Sequence, residues 1–416
     1  MDIHNKIIEI GNCISNAWNT QPYNHDLSLM TGIGGVPIFF YQLYKYTGDL
    51  RYIKDIEDVL YFIFDEINNS DKEINPTYCT GLAGVGFMIN LLEKTEELKY
   101  LELHEELESI DEVLFEVVDL FLQTIDNIDI NHKVEHIDFL HGMFGISYYL
   151  LERPHNCDNI QKIILLFEKL AEIVMAECSF SYLTSNRTSW DENSYKTNLG
   201  LAHGHISYIL IFCRFIERYS NNKIVRNAIQ ESVKTVFLFK NEKVLKNHSL
   251  FPSIAVNKQT ANYNIHLGWC YGDQTVSYGL AKASQILEDV NLKESALEIA
   301  RSTLSRSDCK SALLDEENCE MGFCHGTISV AYYHKLWLKL SGDEKFKNLY
   351  QIFKKETIKR GSLKKGLAGY TKKDLNRNDI SSIGMLDGIS GIGTVLIDAV
   401  IKDNNSINWQ SIFLLE

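Results

Sequence analysis

Two cysteines and a histidine in the second half of the chain carry the side chains best suited to chemistry. Cys270 stands in the run GWCYGD, and Cys324 and His325 stand together in FCHGT. Thiolate sulfur and imidazole nitrogen are ligands that zinc prefers, and three protein ligands without a fourth leave one coordination position open. These residue types therefore indicate a reactive zinc site. The alternative from the residues alone is two buried cysteines and a histidine that caps a helix.

A sequence repeat places these residues in two columns. One motif occurs seven times: a glycine, two further residues, then Gly, Ser or Thr, and then an apolar run. Its leading glycines stand 49 to 68 residues apart. The leading glycines are Gly32, Gly81, Gly142, Gly204, Gly272, Gly326 and Gly388. The residues directly before them are Thr31, Thr80, His141, His203, Tyr271, His325 and Asp387. The residues one position earlier are Met30, Cys79, Leu140, Ala202, Cys270, Cys324 and Leu386.

The repeat also predicts the fold. Each motif indicates the start of a buried helix, because an almost wholly apolar run follows a turn glycine. Amphipathic segments with helical spacing, such as those that begin at Arg51 and Asn159, lie between the motifs. We therefore predict an all-α fold, an α/α toroid of seven inner and seven outer helices in a single domain over residues 1–416. An open solenoid is the alternative.

Both arrangements put the motif turns on one face. Cys270 and Cys324 hold the same position in consecutive repeats, so we expect them to be neighbours. Cys79 and His141 are rival ligands by position, but their repeats do not adjoin the fifth or sixth in a ring of seven. We expect these two residues to line the cavity at most.

The bulk composition excludes some classes of function. A net charge of −14 argues against nucleic-acid binding, which needs clustered Lys and Arg. Residues 1–18 mix acid and amide groups into the apolar pattern, unlike a secretory signal, and no long apolar run follows. The nine cysteines therefore predict reduced thiols in the cytoplasm. Any peripheral association with a membrane would then arise through partner proteins.

Four motifs resemble the lanthionine synthetase C-like family, the lanthipeptide cyclases, and the similarity runs through all seven repeats. They are GWCYGD, FCHGT, LAHG at Leu201–Gly204, and the terminal LDGISGIG. The resemblance implies one zinc ion per chain, held by Cys270, Cys324 and His325. It also implies addition of peptide cysteine thiols to dehydroalanine or dehydrobutyrine, which forms lanthionine or methyllanthionine thioether rings. Zinc favours the thiolate that this reaction needs.

The resemblance further implies partners. The substrate would be a dehydrated precursor peptide with its leader, and a dehydratase and an export transporter could join the enzyme in a biosynthetic complex. A noncatalytic zinc-bearing thiol- or peptide-binding protein of the same fold is the alternative function. A glycoside hydrolase would need two facing carboxylates, and the columns offer only Asp387, with Asp138 nearby.

The resemblance also implies catalytic residues. His203 in LAHG is the candidate acid and base, although it could instead bond a loop carbonyl. Asp138, in HIDFLHG, matches the aspartate that the family places near the active histidine, and it could orient His203 or relay a proton. Its alternative role is to cap a helix. Tyr271 could hydrogen-bond a substrate or a ligand, or simply pack.

One position departs from the family pattern. Related bacterial cyclases typically carry an arginine four residues before the WCYG cysteine, and this chain has His266 there. Unlike arginine, a histidine titrates near neutral pH, so His266 could serve as proton donor or only line the pocket. Two polar stretches, Ser181–Asn198 and Leu363–Asp379, are either peptide-binding or merely solvated loops.

Overall fold

The computed structural model describes the chain except for residues 1, 21, 70–73, 129–132, 134–135, 186–195, 243–247, 258–259, 315–320, 364, 375, 377 and 402–406. In the described part, seven α-helices follow the repeated motifs. They are α2 (Val36–Thr47), α4 (Leu82–Glu93), α6 (Met143–Glu152), α8 (His205–Arg218), α10 (Asp273–Leu287), α12 (Thr327–Ser341) and α14 (Ile389–Asp398).

Seven further α-helices in the described part precede or separate the motifs. They are α1 (Ile3–Ala17), α3 (Arg51–Asn69), α5 (His104–Thr124), α7 (Cys157–Ser185), α9 (Lys223–Leu238), α11 (Val290–Ser302) and α13 (Lys345–Arg360). Among the residues that the structure describes, the strands are two antiparallel pairs of two residues each: β1 (Thr197–Asn198) with β2 (Ile254–Ala255), and β3 (Lys372–Lys373) with β4 (Asp379–Ile380). Helix therefore dominates, as predicted.

Burial separates the two sets of helices as the apolar pattern predicts. In α4 every residue from Ala83 to Leu92 is buried, and in α6 every residue from Met143 to Leu151. In α3 burial is confined to one stripe at helical spacing: Tyr52, Ile56, Val59, Leu60 and Ile63. The motif helices are thus core elements, and helices such as α3 cover them with one face.

Close backbone approach explains the leading glycines. A Cβ added at Gly32, Gly81 or Gly204 would lie between 1.9 and 2.1 Å from the carbonyl oxygen of the residue six positions earlier. No side chain fits there, so the turn requires glycine whatever its dihedral angles. Gly272 adds a second requirement, because its φ of +99° lies where L-residues are strained.

The chain forms two compact units. The first comprises residues 1–114, 315–336 and 347–416, and the second comprises 115–314 and 337–346. In the first unit α14 packs against α1 and α2, so the last motif helix contacts the first. An open solenoid keeps its terminal repeats apart, so this contact excludes one. In the second unit α8 packs against α6, α9 and α10. The single domain over 1–416 stays a prediction.

Three predictions about segments can be compared with the structure. The polar stretch Ser181–Asn198 is not a loop at its start, because α7 continues to Ser185, and residues 186–195 lie outside the described part. None of the described helices is long and apolar enough to cross a membrane. The cysteines that the structure describes are all free thiols.

Candidate metal and acid–base site

Backbone hydrogen bonds join consecutive motif turns at the residue two positions before each leading glycine. In the first unit the Cys324 amide donates to the Leu386 carbonyl at 3.0 Å, and the Leu386 amide donates to Met30 at 2.7 Å. The Met30 amide in turn donates to the Cys79 carbonyl at 3.3 Å. The column read from the sequence is therefore a physical row of residues, and it continues from the seventh repeat to the first.

The same contact occurs in the second unit between the fourth and fifth repeats. The Leu201 amide donates to the Cys270 carbonyl at 2.9 Å, and the Ala202 amide approaches the same oxygen at 3.5 Å. Because His203 follows Ala202 directly, this contact fixes the LAHG turn against the WCYG turn. The candidate acid–base residue and a candidate zinc ligand are thus attached to one hydrogen-bonded backbone unit.

Asp138 orients the candidate acid–base residue. Its Oδ2 lies 2.7 Å from His203 Nδ1, and its Oδ1 accepts the His141 backbone amide at 2.6 Å. The carboxylate is largely buried, whereas the His203 side chain is 36% exposed. A carboxylate at Nδ1 accepts the Nδ1–H hydrogen bond, so Nε2 is left to exchange a proton with a substrate.

His141 stacks on this pair. Its ring centroid lies 5.9 Å from that of His203, with 20° between the ring planes. Burial lowers the pKa of His141; the Asp138 carboxylate raises it and the His203 imidazole lowers it, both by smaller amounts. The neutral form is therefore favoured at His141. The two imidazoles are then kept from carrying charge side by side.

Cys270 lies in a tightly held loop beside His266. The Cys270 thiol is buried, and its Sγ lies 3.7 Å from His266 Nε2. At the end of the loop, a Cβ on Gly272 would lie 2.5 Å from the His266 carbonyl oxygen. A buried sulfur with an imidazole nitrogen beside it suits the donor set that zinc prefers.

Arg306 holds the start of this loop. Its Nη2 donates to the carbonyls of Ile265 at 2.7 Å and Ala312 at 3.0 Å, and the Leu267 amide also donates to Ala312 at 3.0 Å. Behind the loop, Asp273 accepts the backbone amides of Leu250 and Phe251. Burial raises the pKa of Asp273 to about 6 and outweighs the opposing effects of these amides and of Arg306.

Tyr271 packs against the fourth repeat. Its hydroxyl accepts a hydrogen bond from Asn198 Nδ2 at 3.3 Å, and its ring lies where a Cβ on Gly200 would be. The packing role considered for Tyr271 is therefore present. A role toward substrate stays a prediction.

Cys324 and His325 belong to the first unit, and both are half-buried. The Cys324 backbone is fixed by its hydrogen bond to Leu386, and the Gly326 amide closes the turn on the Gly322 carbonyl at 3.0 Å. In the seventh repeat, Asp387 pairs with Lys372 at 3.1 Å. The binding of zinc by Cys270, Cys324 and His325 stays a prediction.

Sequence reasoning missed two residues of the second unit, Asn198 and Arg306. Asn198 stands six positions before Gly204, as His266 does before Gly272, Asp26 before Gly32 and Asn75 before Gly81. Polar side chains recur at that offset, so a third column could have been read from the repeat. For Arg306 the sequence offers no signal, because its partners lie as far away as Ile265.

Comparisons with known proteins agree with this fold. The family model described as lanthionine synthetase C-like protein matches residues 23–414. Among solved structures, nisin cyclase matches with a TM-score of 0.73 and 19% identity, over 99% of this chain and 97% of that one. At this identity the likeness shows the fold alone, and it confirms the predicted all-α class, the α/α toroid.

A weaker match is to an inactive variant of the alpha-1,6-mannanase GH76A of Salegentibacter sp. HEL1_6. It has a TM-score of 0.44 and 10% identity, and it covers 96% of this chain and 99% of that one. No curated protein matches the chain significantly.

Proposed function

The chain belongs to the lanthionine synthetase C-like family, and from this premise we propose that it is a zinc-dependent lanthipeptide cyclase. Its substrate is a dehydrated precursor peptide with a leader. A cysteine thiol of that peptide adds to dehydroalanine or dehydrobutyrine, and a thioether ring forms. The observation that carries the proposal is the Asp138–His203 pair, in which His203 lies on a turn whose backbone is bonded to Cys270.

Cys270, Cys324 and His325 would hold the zinc ion. The set supplies two sulfurs and an imidazole, and the buried Cys270 thiol already lies near a second imidazole. When bound, zinc would favour the thiolate form of the substrate cysteine at neutral pH. The matching positions of Cys270 and Cys324 in consecutive repeats support the assignment.

His203 moves the proton. As the peptide sulfur bonds to the alkene β-carbon, the alkene electron pair shifts toward the α-carbon and the adjacent carbonyl. A proton must then reach the α-carbon, and the protonated His203 delivers it from Nε2 while Asp138 stabilises the imidazolium through Nδ1. The proton lost by the substrate thiol balances the one that the α-carbon gains. The same carboxylate holds the ring in one orientation, so the proton is delivered from a defined direction.

Ring closure and zinc content should be measured on the same preparations. The chain is incubated with a dehydrated precursor peptide, and the thiols that remain are alkylated. Mass spectrometry then measures how many thiols have formed rings and escaped alkylation. We expect His203→Ala to keep its zinc and its fold but to slow ring closure on the order of 10²-fold or more. Cys324→Ala should lose zinc.

The two variants test separate parts of the proposal. Full zinc retention in Cys324→Ala would remove that residue from the ligand set. A His203→Ala variant that closes rings at the native rate would make His203 structural. If the native chain binds zinc and the dehydrated peptide yet closes no ring, the noncatalytic binding function replaces the cyclase.

A further inference from the structure

We propose that His266 is itself a metal ligand, through Nε2, and so adds a fourth protein donor to the set proposed above. The inference rests on the proposed zinc site. It concerns the position at which this chain departs from its relatives, where an arginine would be unable to ligate a cation but a neutral imidazole can.

The geometry of the loop carries the argument. Zinc bonds of about 2.3 Å to sulfur and about 2.05 Å to nitrogen, at a tetrahedral angle, put the two donor atoms about 3.6 Å apart. Cys270 Sγ and His266 Nε2 lie 3.7 Å apart. The two side chains therefore already present adjacent donors of a tetrahedral site.

The backbone on both sides of His266 is fixed in advance. Ile265 is held through its carbonyl by Arg306, and Leu267 through its amide by Ala312. Gly272 brings the end of the loop against the His266 carbonyl itself. A ligand placed by three such constraints loses little freedom when it binds a metal, which favours ligation.

A fourth protein donor changes how the site would work. Three ligands leave a position open, whereas four fill a tetrahedral shell. A substrate thiol would then have to displace a protein ligand. His266 is the natural one to leave, because it alone of the four is outside the two columns that carry the family motif.

The test counts imidazole ligands directly. The purified chain is loaded with Co²⁺ in place of zinc, and the strongly shifted exchangeable N–H signals of metal-bound imidazoles are recorded by proton NMR. We expect two such signals in the native chain and one in His266→Ala. His141→Ala is the control, because this exposed motif histidine is not one of the four proposed ligands and its loss should leave both signals in place.

A second variant separates ligation from a hydrogen bond to the Cys270 sulfur. Glutamine can donate such a bond but is a poor zinc ligand, so His266→Gln should lose the same signal as His266→Ala. Both variants should also bind zinc more weakly, by more than the 10- to 100-fold typical of losing an outer-shell partner. One imidazole signal in the native chain, unchanged by either variant, would overturn the inference and leave the three-ligand site intact. A native chain that binds no metal would instead overturn the proposed zinc site itself.

Discussion

Replacing Asp138 by asparagine tests the acid–base pair without removing the turn that carries it. The side-chain carbonyl of an asparagine can still accept the His141 amide, which Asp138 accepts at 2.6 Å. Its NH2 group would then face His203 Nδ1 in place of the carboxylate oxygen that lies 2.7 Å away. His203 would have to accept that bond at Nδ1, so the neutral ring would be favoured and the imidazolium disfavoured.

The size of the effect follows from the bond that is lost. A hydrogen bond to a charged group contributes about 1.5 to 3 kcal/mol. Each 1.36 kcal/mol is tenfold in rate, so ring closure should slow roughly 10- to 150-fold. The His203 side chain is 36% exposed, which favours the lower half of that range.

Single-turnover ring closure at one fixed pH, with zinc content and melting temperature recorded, is the assay. Asp119→Asn is the control, because the Asp119 carboxylate in α5 pairs with the Lys162 amine at 2.8 Å, away from the motif turns. We expect native kinetics from that control. An Asp138→Asn chain that keeps its fold, its zinc and the native rate would refute the role given to Asp138.

Two further predictions concern the loop that carries Cys270. Gly272→Ala should lower the free energy of unfolding in urea by about 1 to 3 kcal/mol or more, and it should lower the zinc content of the chain. The control is Gly48→Ala, because Gly48 has a φ of +71° with open space around it and so shows the strain of φ alone. Because burial raises the pKa of Asp273 to about 6, the native state holds a proton that the unfolded chain releases near pH 4. The free energy of unfolding should therefore fall by up to about 3 kcal/mol as pH rises from 4 through 6. Asp273→Asn should flatten that fall, and an unchanged pH profile would contradict the assigned pKa.

The sequence predicted the site residues best where they belong to the repeated motif. Seven copies of one motif placed Cys270 and Cys324 at the same position of the repeat. In the structure, backbone hydrogen bonds such as that from Cys324 to Leu386 join residues at this position in consecutive repeats. The pairing of His203 with Asp138 came from the family resemblance, because 65 positions separate them and no local pattern joins them.

Other features depend on contacts that no local pattern encodes. Lys6 is fully buried in α1, and its Nζ donates to the carbonyls of Gly361 at 2.6 Å and Ala368 at 2.9 Å. In the sequence it is an ordinary lysine on an amphipathic helix. The approach of His266 to Cys270 likewise depends on Arg306 and on the backbone of Gly272. Such residues are recognised only once distant segments have been brought together.

The bond from the Leu386 amide to the Met30 carbonyl has a consequence for how the chain folds. It closes a loop of roughly 360 residues, which costs about 5 kcal/mol in chain entropy, whereas the roughly 60 residues between neighbouring motifs cost about 3.6 kcal/mol. The second unit is nearly contiguous, at 115–314, so it can fold as it leaves the ribosome. The first unit cannot, since residues 1–114 must wait for 347–416. Until synthesis reaches α14, the apolar surface of α2 that α14 covers stays exposed and open to misassembly or to a chaperone.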